Sequence, residues 1–181
     1  MEECIENRRF SKLGGRGRTV CLCEIPSPAA NDNYSMQEDL FQLGIKALIT
    51  NKEGKVLLLM VNKKELKKYD GEAYWDIPGG RIHRGVSAEE TLKREVLEET
   101  GLTKIESIKP FAMVLSNIRI PMGETDTGLI LSVYTCVVDE SEQIRLSSEH
   151  IEYGWFVPRE ASELLKIKYP KEFTSKLENG F

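Results

Sequence analysis

Apolar positions sort into strands and helices from about residue 38 onward. FQLGIKALIT (41–50) and KVLLLMV (55–61) predict two strands, and Asn51-Lys52-Glu53-Gly54 between them supplies hairpin-turn chemistry. The second run is apolar at nearly every position, as expected of a strand buried on both faces. Further strands are expected over 74–77, 105–118, 128–138 and 153–157, with a polar loop over Pro121–Thr127 carrying Glu124 and Asp126. The stretch 62–71 is lysine-rich and reads as a surface loop.

After residue 86 the period changes. Ala88, Leu92 and Val96 recur at i, i+4 and i+8, an apolar stripe that should face the sheet. Ser87 with Glu90 three residues later forms a capping box, and Gly101 suits the left-handed position beyond the helix end. Pro158 opens a second helix and 169–181 holds a short third. Strands in mixed order with few helices predict an α+β fold around a mixed β-sheet. Residues 1–37, with glycines among arginines and no periodicity, read as a flexible N-terminal arm, leaving 38–181 as the domain.

Composition narrows the function. A net charge of −4 and a pI near 5.4 exclude a general nucleic-acid binder, which carries a basic surplus. Nucleotide chemistry stays open, because local cations or metals hold phosphates. No apolar run approaches the roughly 18–20 residues of a membrane span. Cys4, Cys21, Cys23 and Cys136 lack zinc-site spacing, which points to reduced thiols and a cytoplasmic setting.

The chemistry concentrates between Trp75 and Leu102. Glu95, Glu98 and Glu99 stand at i, i+3 and i+4, neighbours on one helix surface whose charges repel unless a cation lies between them. Converging hard oxygens are what Mg²⁺ or Mn²⁺ takes. Gly79-Gly80 and Gly85 allow the preceding loop to bring a main-chain carbonyl to such an ion. The plainer alternative is an exposed face laced by the i, i+4 pairs Glu90–Arg94 and Arg94–Glu98.

Gly80, Arg94, Glu95, Val96, Glu98, Glu99, Gly101 and Leu102 together resemble the Nudix box: Gly, five residues, Glu, seven residues, Arg-Glu-aliphatic-any-Glu-Glu-any-Gly-aliphatic. The flanking strands, about 41–157, resemble a Nudix domain in order and length. The resemblance implies a Nudix-like α/β/α sandwich and hydrolysis of a nucleoside diphosphate linked to another group, such as a nucleoside triphosphate or nucleotide sugar. It implies metal ligation by Glu95, Glu98 and Glu99 with the Gly79 carbonyl. Glu98 combines ligation with proton handling, and Glu95 also belongs to the catalytic set. Some members use a glutamate outside the box; here Glu149 and Glu152 match.

One position departs from the pattern. Val86 stands where the box has its first glutamate, the usual partner of the box arginine, so Arg94 is expected to turn to Glu90 or Glu98. Val86 also motivates a second reading, a non-catalytic nucleotide- or partner-binding module. A diphosphate isomerase on the same fold would need a well-placed cysteine, and Cys136 lies mid-strand. Arg81 and Arg84 are the expected phosphate partners, since guanidinium offers a planar fork of donors. His83 in the glycine loop and His150 near a turn read as solvated. Tyr74 and Trp75 read as core, with base stacking the alternative. The expected partner is a small nucleotide, for a monomer or homodimer.

Overall fold

Strand β1 (Phe41–Thr50) alternates between two cores. Ile45, Ala47 and Ile49 point to one face of the sheet and Leu48 to the other. Strand β2 (Val56–Val61) repeats this, Leu57 and Leu59 on the first face, Val56 and Leu58 on the second. Both strands therefore bury side chains on both faces, as the near-continuous apolar run of β2 predicts for that strand. The structure, a computed structural model, describes residues 38–65, 73–123, 125–138 and 142–180. The expected arm over 1–37 and most of the lysine-rich stretch lie outside them.

The remaining elements are β3 (Trp75–Asp76), α1 (Ala88–Thr100), β4 (Ile105–Leu115), β5 (Ile120–Met122), β6 (Thr125–Val138), β7 (His150–Phe156), α2 (Pro158–Leu164) and α3 (Lys171–Glu178). The main sheet order is β3-β2-β1-β6-β4, with β7 on β2 and β5 on β6. β1 and β6 run parallel, whereas the other pairs run antiparallel, so the sheet is mixed as expected. Leu92 and Val96 of α1 pack on the first face; Ala161, Leu165, Phe173 and Leu177 from the C-terminal helices pack on the second. The result is helix, sheet, helix.

Two expectations need correction. Pro121–Thr127 is no loop: Ile120, Pro121 and Met122 pair with Thr127, Asp126 and Thr125 in a hairpin around Gly123, whose φ is +67°. The short strand Ile120–Met122 carries a proline and faces the polar run Thr125–Thr127, so no apolar alternation marks the pairing in the sequence. The long β4 also ends three residues early, at Leu115.

Candidate active site

Helix α1 begins as its sequence requires. Ser87 Oγ accepts from the Glu90 backbone N–H, and the Glu90 carboxylate accepts from the Ser87 N–H at 2.9 Å. Gly101 closes the helix at φ +72° and donates its N–H to Leu97. With the apolar stripe held on the sheet, the glutamates are aimed by packing.

The glycine loop is pressed between β1 and α1. A Cβ on Gly79, whose φ is +133°, would lie 2.2 Å from the Ile45 carbonyl oxygen, so only glycine fits. A Cβ on Gly80 would lie 2.3 Å from Glu95 Oε1. The bare glycine thus leaves room for the Glu95 carboxylate against the loop. Glu99 is 6 % exposed, and its Oε2 accepts the Gly79 N–H at 2.8 Å. Burial pushes its carboxyl up to about 7, against the opposing pull of Lys46 and the Gly79 N–H.

Glu98 stands apart. It is exposed and accepts from Arg94 Nη1 at 2.9 Å, while Arg94 Nη2 donates to Glu95 Oε1 at 2.6 Å. Arg94 has turned to Glu98, one of its two expected partners; Glu90 is committed to the cap. Among the described residues, no three acidic, histidine or cysteine side chains are already gathered as a metal cage. The donor set nonetheless suits a hard divalent ion, with carboxylate oxygens of Glu95 and Glu99 facing a loop that no side chain obstructs.

A second cluster adjoins the loop, and sequence reasoning missed it. Lys46 Nζ donates to Asp76 Oδ2 at 2.8 Å, the Ile77 carbonyl at 3.0 Å and the Gly79 carbonyl at 2.6 Å. Asp76 Oδ2 also accepts from Lys168 Nζ at 2.5 Å, and its Oδ1 accepts from the Tyr169 hydroxyl and the Ile77 N–H. Burial opposes the Asp76 charge, but Lys168 and Lys46 overcome that and hold the carboxyl well below its usual range. A continuous chain of polar contacts therefore runs from Lys168 through Asp76, Lys46 and Gly79 to Glu99. The available signal was Lys46 itself, a lone cation inside a buried apolar strand.

These groups line a cavity of about 400 Å³, together with Tyr74, Arg81, Arg119, Glu149 and His150. Arg81 is exposed at its edge and donates to Gln42 Oε1 at 3.1 Å. Arg84 and His83 are exposed and do not line it. Of the two glutamates outside the box, Glu149 lines the cavity and Glu152 does not. Trp75 packs edge-on against Phe156 at 5.0 Å in the core, whereas buried Tyr74 forms cavity wall. His150 is half-buried rather than solvated, and burial with Lys46 and Lys168 nearby depresses its imidazole to about 4.

The model of the NUDIX domain matches residues 40–177, most of the chain. The chain belongs to the Nudix family. An asymmetrical bis(5'-nucleosyl)-tetraphosphatase from Mus musculus is 32 % identical over 108 residues, covering 59 % of this chain and 71 % of that one. An RNA pyrophosphohydrolase from Hamiltonella defensa is 38 % identical over 69 residues, 38 % of this chain and 37 % of that one, so well under two thirds of its length is spanned. Among solved structures, the MutT protein from Methanosarcina mazei superposes with a TM-score of 0.55 at 30 % identity, covering 79 % of this chain and 94 % of that one. The protein is accordingly a Nudix-type hydrolase, and its family works with divalent metal ions on nucleotides.

Proposed function

We propose that the protein hydrolyses a phosphoanhydride bond in a nucleoside diphosphate linked to a further group, with Mg²⁺ or Mn²⁺ as cofactor. Nucleoside triphosphates and nucleotide sugars are the candidate substrates; the names of the mouse and Hamiltonella relatives add bis(5'-nucleosyl) tetraphosphates and RNA to those worth assaying. The supporting observation is the placement of Glu95 and Glu99 against Gly79-Gly80, beside a cavity lined by Lys46, Lys168 and Arg81.

Glu95, Glu98 and Glu99 would hold the ion, with the Gly79 carbonyl offering a second lone pair beside the one that Lys46 uses. When bound, a divalent ion neutralises anhydride charge and acidifies water. The chain's own groups do the rest. Glu98 is the exposed member of the trio and accepts the proton of the attacking water once Arg94 releases it. Glu149, at the cavity edge, is the alternative base. Arg81 offers its guanidinium to the phosphate chain, with Arg84 on the same loop farther from the cavity.

The test is a panel of these nucleotides with Mg²⁺ or Mn²⁺, assayed for phosphate products. Glu98→Gln should lower kcat by at least about 100-fold on the order expected for general-base loss, with an unchanged melting temperature. Full activity in that variant would move the role to Glu149. Nucleotide binding without turnover across the panel would favour the non-catalytic module, a reading motivated by Val86 in place of the first box glutamate and by the Arg94–Glu98 pair.

A further inference from the structure

Lys168 lies between α2 and α3, at the far end of the polar chain that reaches Glu99. Its backbone is tied down. The Lys168 carbonyl accepts from the Asn117 N–H at 2.9 Å and from Ser116 Oγ at 3.0 Å. Asn117 Nδ2 also donates to the Lys166 and Tyr169 carbonyls at 3.0 Å each. The side chain is held as firmly, bonded to Asp76 Oδ2 and with its ammonium 5.9 Å from the Tyr74 ring centroid.

The hydrogen-bond capacity of the cluster is unevenly used. Lys46 has three acceptors for its three N–H groups, and the Asp76 carboxylate accepts four donors. Lys168 has Asp76 alone among the described residues, leaving two N–H groups of a buried ammonium over. Such a group is costly to bury without acceptors. The cavity that Lys168 lines has a second unsatisfied group. His150 Nδ1 is buried without a partner among the described residues, and its ring lines the same cavity. Val61, Ile118, Ile120 and Leu129 supply apolar wall, so the space suits an apolar body that carries polar edges.

We propose that Lys168 is a substrate-binding residue that donates its two remaining N–H groups to an oxygen of the nucleotide lodged in this cavity, with His150 meeting a further polar atom beside it. The oxygen belongs either to the phosphate chain or to a base carbonyl; both present the same acceptor to an ammonium. The proposal rests on the hydrolase reading given above.

Lys168→Met and Lys168→Gln in the full chain test it, the second keeping an amide donor for Asp76. Steady-state kinetics are measured on GTP, UTP and ATP with Mg²⁺, alongside the melting temperature of each protein. Both variants should raise KM about tenfold or more, the scale of a hydrogen bond from a charged donor, with kcat within threefold. A rise of equal size for all three nucleotides assigns the contact to phosphate oxygen; a rise confined to GTP and UTP assigns it to the base carbonyl. KM unchanged in a folded variant, or a loss confined to kcat, overturns the proposal. If the wild-type chain turns over no nucleotide, the hydrolase reading fails instead, which the wild-type arm reveals independently.

Discussion

Asp76 binds two ammoniums, a phenol and a backbone N–H while only 4 % exposed. Removing it leaves Lys46 and Lys168 buried without their anion, the situation in which breaking a buried pair costs most. Asp76→Ala should therefore lose roughly 3–5 kcal/mol of unfolding free energy, measured by denaturant titration. A loss below about 1 kcal/mol would show that these charges are solvated. Glu99 makes a prediction of opposite sign. Its folded carboxyl titrates near 7, above the ordinary 4.5, so the native state binds more protons between those values. Its contribution therefore falls as pH rises through that window. Without metal, Glu99→Gln should gain roughly 1–3 kcal/mol on the wild type between pH 4.5 and 7.5. His150, depressed to about 4, works the other way but is common to both proteins and cancels in the difference. Denaturation in chelator at both pH values checks this; an equal gap at each would remove Glu99 as the source.

At the scale of elements, α1 and the glycine loop form one device. The cap sets where the helix begins, the stripe of Leu92 and Val96 sets its rotation, and two glycines let β1 and Glu95 approach the loop from either side. Glu99 ties the helix to the loop through the Gly79 N–H, but the box glutamate that would pair with Arg94 is replaced by Val86. Val86 is half-buried next to the cap, and Arg94 spends both arms of its fork on Glu95 and Glu98. Val86→Glu should draw Arg94 toward the loop and release Glu98, lowering the Mg²⁺ concentration for half-maximal activity several-fold. A metal titration of both proteins decides it, and identical curves would mean that Arg94 does not compete for Glu98.

At the scale of the molecule, the cavity is assembled from segments far apart in sequence. β1 contributes Lys46, β3 Asp76, the glycine loop Gly79 and Gly80, the β4–β5 turn Ile118 and Arg119, the start of β7 His150 and the C-terminal segment Lys168. The face carrying Lys46 packs against the C-terminal helices, and the opposite face carries α1. The glycine loop runs along β1, its Pro78 and Gly80 carbonyls accepting from the Ala47 and Ile45 N–H groups at 2.8 Å each. No described helix is long and apolar enough to cross a membrane.

Local chemistry determined a great deal here. Strand periodicity, the Ser87 cap, the Gly101 stop and the fixed spacing of the glutamates depend on neighbours three or four residues away, so they are legible in one dimension. Patterning alone gives an α+β fold around a mixed sheet, and the α/β/α layering is implied by the resemblance of the glycine and glutamate spacing to the Nudix box. Other features depended on tertiary packing. The hairpin at 120–127 leaves no apolar alternation in the sequence. His150 is half-buried only because β7 delivers it beside Lys46 and Lys168. The Lys46–Asp76–Lys168 cluster joins residues 30 and 92 positions apart along the chain. A buried charge announces itself in sequence, but its counter-charge is chosen by which elements the fold brings within hydrogen-bond reach.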